Sequence, residues 1–272
     1  MFSRGSDLAA IGRAVRPRSS SYAGEVTSDG VKARQAASFD RAAEVYERAR
    51  PEYPAEAVDW LVPDGAKTVL DLGAGTGKLT RALVARGLEV LAVDPSPKML
   101  EQLSAAIPGA TVHEGTAEDI PLGDASVDAV LVAQAWHWVD QDVALPSVAR
   151  VLKPGGTLGL VWNIRDDRVD WVHQLTDAMH AANAEVFLAT ESIRHDGFSP
   201  VETAVFEWSR DFTRPELIEL LQSRSYYITA PPEEQSALEA AVNALLDTHP
   251  DLVGRDHWTM PYVTQCFRMR VA

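Results

Sequence analysis

Two carboxylates in this sequence stand where they could hold a ligand. The stretch TVLDLGAGTGK, residues 68–78, is an apolar run that closes on Asp71 and then turns through Gly73, Gly75 and Gly77. A second run, EVLAVD, closes on Asp94, 23 residues after Asp71. Glycines after a strand let backbone approach a ligand closely and take positive φ. In an open α/β sheet, ligands bind at that place, outside the carboxyl ends of the strands. A dinucleotide is one candidate, but its G-x-G-x-x-G fingerprint fails here. Gly73 and Gly75 fit the first two places, and Lys78 stands in the third. Asp71 beside two phosphates would also be repelled, by on the order of a kcal/mol at short range.

An acid suits a cation instead. S-adenosylmethionine carries an amino group and a sulfonium, and no phosphate. Asp71 is expected to receive that amino group, directly or through water, with Gly73, Ala74 and Gly75 along the methionine part. Asp94, followed by Pro95, is expected to accept from the two ribose hydroxyls. Met99 is a candidate wall of the adenine pocket. After a third run, the loop HEGTAEDIP (113–121) brings Thr116, Ala117 and Glu118 to the adenine edge and Ile120 to a ring face. The plainer alternatives are a helix N-cap for Asp71 and a turn residue for Asp94.

A fourth apolar run leads into QAWHW, residues 134–138. Gln134 is expected nearest the methionine end, and Trp136 and Trp138 as walls of an acceptor pocket. His137 is the candidate general base, because an imidazole titrates near neutrality; a structural histidine held between two tryptophans is the alternative. Trp162 and Asn163 close a fifth run, and Arg224-Ser-Tyr-Tyr227 follows a late helix; both are candidate acceptor contacts. No metal site is expected, since His173 and His180 lack a third ligand within reach. The single cysteine, Cys266, excludes an internal disulfide and fits a reducing, cytoplasmic setting.

DLGAGTG (71–77), VDPSPKML (93–100), EGTAEDIPL (114–122), SVDAVLVAQAWHW (126–138) and LKPGGTL (152–158), in that order, resemble the class I S-adenosylmethionine-dependent methyltransferases. The resemblance covers roughly residues 36–165. FDRAAEVYERARPEYP (39–54) and QAWHWVD (134–140) are similar to the trans-aconitate methyltransferase-like branch, whose members act on small molecules. It implies the cofactor and the fold, and an N-terminal segment that closes over cofactor and acceptor. In that segment Tyr46 and Tyr53 are implied contacts of the cofactor carboxylate or the acceptor, and Arg50 could pair with a carboxylate through its planar fork. The implied reaction is in-line methyl transfer to a small acceptor, a carboxylate or hydroxyl first, with a quinone-like carbon as a variant. A nicotinamide-dependent oxidoreductase on the same architecture and a non-catalytic S-adenosylmethionine-binding protein are the rival readings.

Positioning these residues requires strands alternating with helices. Strands are expected at 68–72, 89–93, 111–113, 127–133 and 157–162, with helices at 78–86, 97–106 and 142–152 between them. That pattern specifies α/β class and a doubly wound, mostly parallel, Rossmann-like sheet. Helices at 170–190, 214–223 and 233–247 are expected as insertions around strands at 203–212 and 261–271, completing about seven. A helix from Phe39, ended by Pro51 and Pro54, would cap the site. Residues 1–34, rich in Ser, Arg and Gly, read as a flexible tail; 35–272 read as one methyltransferase domain with a cofactor-binding core at 60–165 and a C-terminal part at 166–272. The tail has a balance of +3 within a chain of net charge −14. So acidic a body disfavours nucleic acid as a partner, and no apolar run is long enough for a membrane helix.

Overall fold

The computed structural model describes residues 49–179 and 197–271. The expected tail, most of the expected N-terminal cap with Tyr46, and the end of the helix expected at 170–190 lie outside the described residues. Seven strands make one sheet: β1 (Thr68–Leu72), β2 (Glu89–Asp94), β3 (Ala110–Glu114), β4 (Val127–Ala133), β5 (Leu152–Arg165), β6 (Glu202–Thr213) and β7 (His257–Arg270). Their order across the sheet is β3-β2-β1-β4-β5-β7-β6. Strands β1 to β5 pair in parallel, whereas β7 runs antiparallel to both β5 and β6.

The central strands are apolar on both faces because helices cover both. The side-chain period of two sends alternate residues to opposite layers. In β4, Val130 and Val132 join a core with Leu70, Leu72, Leu158 and Leu160. Ala129 and Leu131, between them, join a second core with Val69, Val161 and Leu61 on the other face. Each such aliphatic side chain contributes roughly 1.5–3 kcal/mol by leaving water. Helices α1 (Ala55–Leu61), α2 (Lys78–Val84), α3 (Pro97–Ala106) and α4 (Gln141–Val151) accompany this half. The C-terminal half adds α5 (Asp170–Ala178), α6 (Arg214–Gln222), α7 (Ser225–Thr229) and α8 (Pro232–Thr248). There a separate core gathers Trp171, Leu175, Phe212, Leu220, Val242 and Trp258.

Three expectations need correction. Pro54 does not only end what precedes it; with φ at −54° it is the N-cap of α1, which the sequence reading missed. Its fixed φ suits a helix start as well as a helix stop. Strand β5 begins at Leu152 rather than 157, because Leu152 already pairs with Val127; the ladder resumes at Thr157 with Ala129, and KPGG spans the register shift between them. Strand β7 likewise begins four residues early, at His257. No helix among the described residues is long and apolar enough to cross a membrane.

After β1 the chain winds outward through β2 and β3, then returns to add β4 and β5 on the other side. The winding therefore reverses between β1 and β4, and the crevice at their carboxyl ends is the expected place for a ligand.

Candidate functional site

A cleft of about 490 Å³ opens at that reversal. It falls within the roughly 300–1,000 Å³ typical of small-molecule sites. Asp71, at the end of β1, lies on its floor and is fully buried. Its Oδ2 accepts a hydrogen bond from Thr80 Oγ1 at 2.6 Å, while Oδ1 is buried with no hydrogen-bond partner. Burial pushes the Asp71 pKa up to about 7; hydrogen bonds from Thr80 oppose the shift and the Asp94 charge adds to it. An unpartnered buried carboxylate oxygen is costly, and a cationic donor in the cleft would relieve that cost.

Asp94 closes β2 on the same cleft, 8% exposed. Backbone amides orient both of its oxygens: Gly75 N–H donates to Oδ2 at 2.8 Å, and Ser96 N–H to Oδ1 at 2.9 Å. Ser96 then caps α3 by accepting from the Met99 amide at 3.3 Å, which sets Met99 in the cleft wall.

The glycines divide by role. At Gly73, φ is +72° and an added Cβ would stand 2.8 Å from Ala135 Cβ; at Gly77, φ is +94° and it would meet Ile107 Cδ1 at 2.7 Å. These two serve packing. Gly75 also has positive φ, +55°, but nothing lies within 4 Å of its Cβ position. Its backbone therefore faces open space in the cleft beside Asp94.

Gly73, Ala74, Pro95, Thr116, Ala117 and Glu118 all line the cleft. The 116–118 loop is held by its own polar atoms. Glu118 Oε1 accepts from the Asp140 amide at 2.9 Å, and Thr116 Oγ1 from the Asp119 amide at 3.2 Å. Ile120, expected on a ring face, turns instead into the core. Gln134 lines the cleft with φ at +58°, and its Nε2 donates to the Asn163 carbonyl at 3.1 Å.

The aromatic turn separates. Trp136–Trp138 form one 3₁₀ turn, in which three residues per turn send successive side chains about 120° apart. Trp136 enters the core, 1% exposed; Trp138 reaches the cleft; His137 points outward, exposed, its ring centroid 4.8 Å from that of Trp138. The structure thus brings neither Trp136 nor His137 to the cleft. Trp162 also packs in the core, edge-on to Phe267 at 5.9 Å. From the late helix, Arg224 reaches the cleft, while Tyr226 and Tyr227 pack against the C-terminal core.

Residues 49–53 form a strap tied by hydrogen bonds to β5, β6 and the end of α6. Arg50 and Tyr53 line the cleft. Arg50 Nε donates to Ser223 Oγ at 3.2 Å, at the end of α6, and Arg210 Nη1 donates to the Ala49 carbonyl at 3.2 Å. Asn163 lines the cleft too, yet its side chain is committed to protein: Nδ2 donates to the Glu52 carbonyl at 3.1 Å and Oδ1 accepts from Thr264 Oγ1 at 2.7 Å. That departs from the expected acceptor contact. Sequence reasoning missed Thr80, Leu220, Tyr262 and Thr264. Thr80 sits nine residues past Asp71 with no motif to mark it, and the two β7 residues gain a place only once Asn163 pairs with Thr264 and Arg165 with Tyr262.

The residues at the cleft fit S-adenosylmethionine: an orphaned acid for the cation, an amide-oriented acid for hydroxyls, and a bare glycine wall between them.

Comparison with known proteins agrees. A family model described as a methyltransferase domain matches residues 70–160. An uncharacterized methyltransferase of Mycobacterium tuberculosis is 52% identical over 235 residues, covering 86% of this chain and 96% of that protein. An uncharacterized methyltransferase-like protein of Schizosaccharomyces pombe is 38% identical, covering 82% and 91%. A solved structure from Anaeromyxobacter dehalogenans, assigned as a type II methyltransferase, superposes with a TM-score of 0.64 at 25% identity, over 81% of this chain and 96% of that one.

Proposed function

We propose, from the premise that this chain belongs to the class I S-adenosylmethionine-dependent methyltransferases, that it methylates a small-molecule acceptor bearing a carboxylate or a hydroxyl. The observation that carries the cofactor site is the pairing of Asp71 and Asp94 at neighbouring strand ends, the first with a buried oxygen to offer and the second oriented by two amides. Asp71 takes the amino group, Asp94 the ribose hydroxyls, and Met99, Thr116, Ala117 and Glu118 surround the adenine. Gly73, Ala74, Gly75, Pro95 and Gln134 complete that wall. Bound there, S-adenosylmethionine supplies a methyl group already activated by positive sulfur. The chain's own share is alignment, which can be worth roughly 7–11 kcal/mol.

On the acceptor side, Tyr53, Trp138, Leu220 and Tyr262 offer apolar surface, and Arg50 and Arg224 offer guanidinium groups. No histidine is among the described residues that line this cleft. A carboxylate needs no base, so the lining favours a carboxylate over a hydroxyl. This is consistent with the resemblance to the trans-aconitate methyltransferase-like branch. A cytoplasmic enzyme fits the single thiol, Cys266, which burial pushes up to about 12 and so leaves unreactive.

A screen with methyl-labelled cofactor tests this reading. Acidic, phenolic and lipid-like small molecules would be offered, with NAD binding titrated in parallel. Label transferred to an acid as a base-labile ester supports it. Transfer only to phenols would move the acceptor to hydroxyls, and tight NAD binding with no transfer would remove the methyltransferase assignment.

A further inference from the structure

The hydrogen bonds around Asn163 form a directed relay. Trp208 Nε1, on β6, donates to Thr264 Oγ1, on β7, at 2.8 Å. An indole nitrogen can only donate. The Thr264 hydroxyl therefore spends its own proton on Asn163 Oδ1, at 2.7 Å. With its oxygen so fixed, the Asn163 amide must turn its NH2 group to the Glu52 carbonyl, at 3.1 Å. The backbone carbonyl of Asn163 meanwhile accepts from Gln134 Nε2 at 3.1 Å, tying in the end of β4. Asn163 is 6% exposed and Thr264 fully buried.

The carbonyl held by this relay belongs to the strap. Its neighbours Arg50, Pro51 and Tyr53 all line the cleft that Asp71 and Asp94 share. Glu52 is also held through its carboxylate, by Arg81 at 3.2 Å and Lys78 at 3.5 Å on α2, but that carboxylate is 57% exposed. Exposed ion pairs add little, whereas a buried group that loses its partner bears the whole desolvation cost.

We propose that Asn163 is a positioning residue: through the Trp208–Thr264–Asn163 relay it latches the strap at Glu52 and so sets the wall that Arg50 and Tyr53 present to the bound cofactor. The inference rests on the cofactor reading above. It assigns Asn163 no contact with the acceptor, and it makes affinity at the cleft depend on two residues, Thr264 and Trp208, outside its lining.

S-adenosylhomocysteine binding, measured by calorimetry on the full chain, tests it. Asn163→Asp keeps the side chain's size, removes the donor and faces one oxygen with another. It should weaken binding about tenfold, the worth of one buried hydrogen bond. Thr264→Val should weaken it by a similar factor, because the amide is then free to rotate, while Thr264→Ser, which keeps the hydroxyl, should bind as the parent does. The double variant Asn163→Asp/Thr264→Val should bind no more weakly than Asn163→Asp alone, as one unit predicts. Losses in proportion to the melting temperature of each variant would mark a merely structural role and overturn the latch. So would binding within twofold of the parent in both Asn163→Asp and Thr264→Val. Should Asn163→Asp not fold, the contrast between valine and serine at Thr264 decides. A parent chain that does not bind S-adenosylhomocysteine overturns the cofactor reading and the latch together; a parent that binds beside indifferent variants overturns the latch alone.

Discussion

At the scale of single residues, the two aspartates do different work because their surroundings differ. Asp94 has both oxygens oriented by backbone amides, so its carboxylate is aimed. On the proposed cofactor reading, Asp94→Ala removes the carboxylate acceptor of two hydroxyl bonds, each worth roughly 1.5–3 kcal/mol, and should weaken S-adenosylhomocysteine binding by about 100-fold or more in a calorimetric titration. Asp71 is buried with one oxygen unpaired and its pKa raised from 3.8 to about 7. Below about pH 7 the neutral acid is then the favoured form in the folded chain. Its stabilising contribution is full below its ordinary pKa of 3.8 and is lost as pH rises through about 7. A cationic amino group needs the opposite form. Cofactor affinity should therefore fall as pH drops below 7, and binding at or below neutrality should release a proton. Calorimetry in two buffers of different ionisation heat reads that proton directly, and Asp71→Asn should abolish it. These acids were legible from sequence because each ends an apolar run. Orientation inside a turn was not: Trp136, His137 and Trp138 are consecutive, and only the 3₁₀ geometry decides which of them meets the cleft.

At the scale of elements, the parallel half of the sheet was readable because burial on both faces leaves unbroken apolar runs bounded by acids and glycines. The expected and observed limits of β1, β4 and α3 coincide. Where reading failed, a neighbouring element had overridden local signal. KPGG looks like a helix stop, yet it lies within β5 because the residues on either side of it, Leu152 and Thr157, both pair with β4. Helix α1 has only seven residues, too short for its period to stand out after Pro54. The Asn163 latch was invisible because its partners lie 111 residues before it and 101 after it. Gly77 illustrates how tightly the turn between β1 and α2 is fixed. It is the N-cap of α2 at φ +94°, and a Cβ would strike Leu103 Cγ at 2.8 Å and Ile107 Cδ1 at 2.7 Å. Gly77→Ala should cost about 2 kcal/mol, lowering the melting temperature by roughly 4–8 °C in a calorimetric scan. Gly75→Ala has the positive φ but no clash. Its melting loss should be smaller, and it should impair cofactor binding instead.

At the scale of the whole molecule, the winding reversal between β1 and β4 brings the first two strand ends, the loop after β3 and the aromatic turn after β4 around one cleft. The antiparallel β7 and the late helices then close its far side with Tyr262, Leu220 and Arg224. The lining of the cleft thus combines two carboxylates at strand ends with guanidinium groups and rings. The fold alone does not fix the chemistry: a solved chain named as a [4+2]-cyclase superposes on this one with a TM-score of 0.53 at 19% identity. The claim therefore stands on the acids at the strand ends. A crystal structure with S-adenosylhomocysteine bound tests that claim most directly. The account predicts the ribose hydroxyls on the Asp94 carboxylate and the amino group on Asp71 Oδ1, directly or through one water. A nucleoside bound away from the cleft, with Asp71 Oδ1 still unpartnered and no hydroxyl on the Asp94 carboxylate, would contradict it.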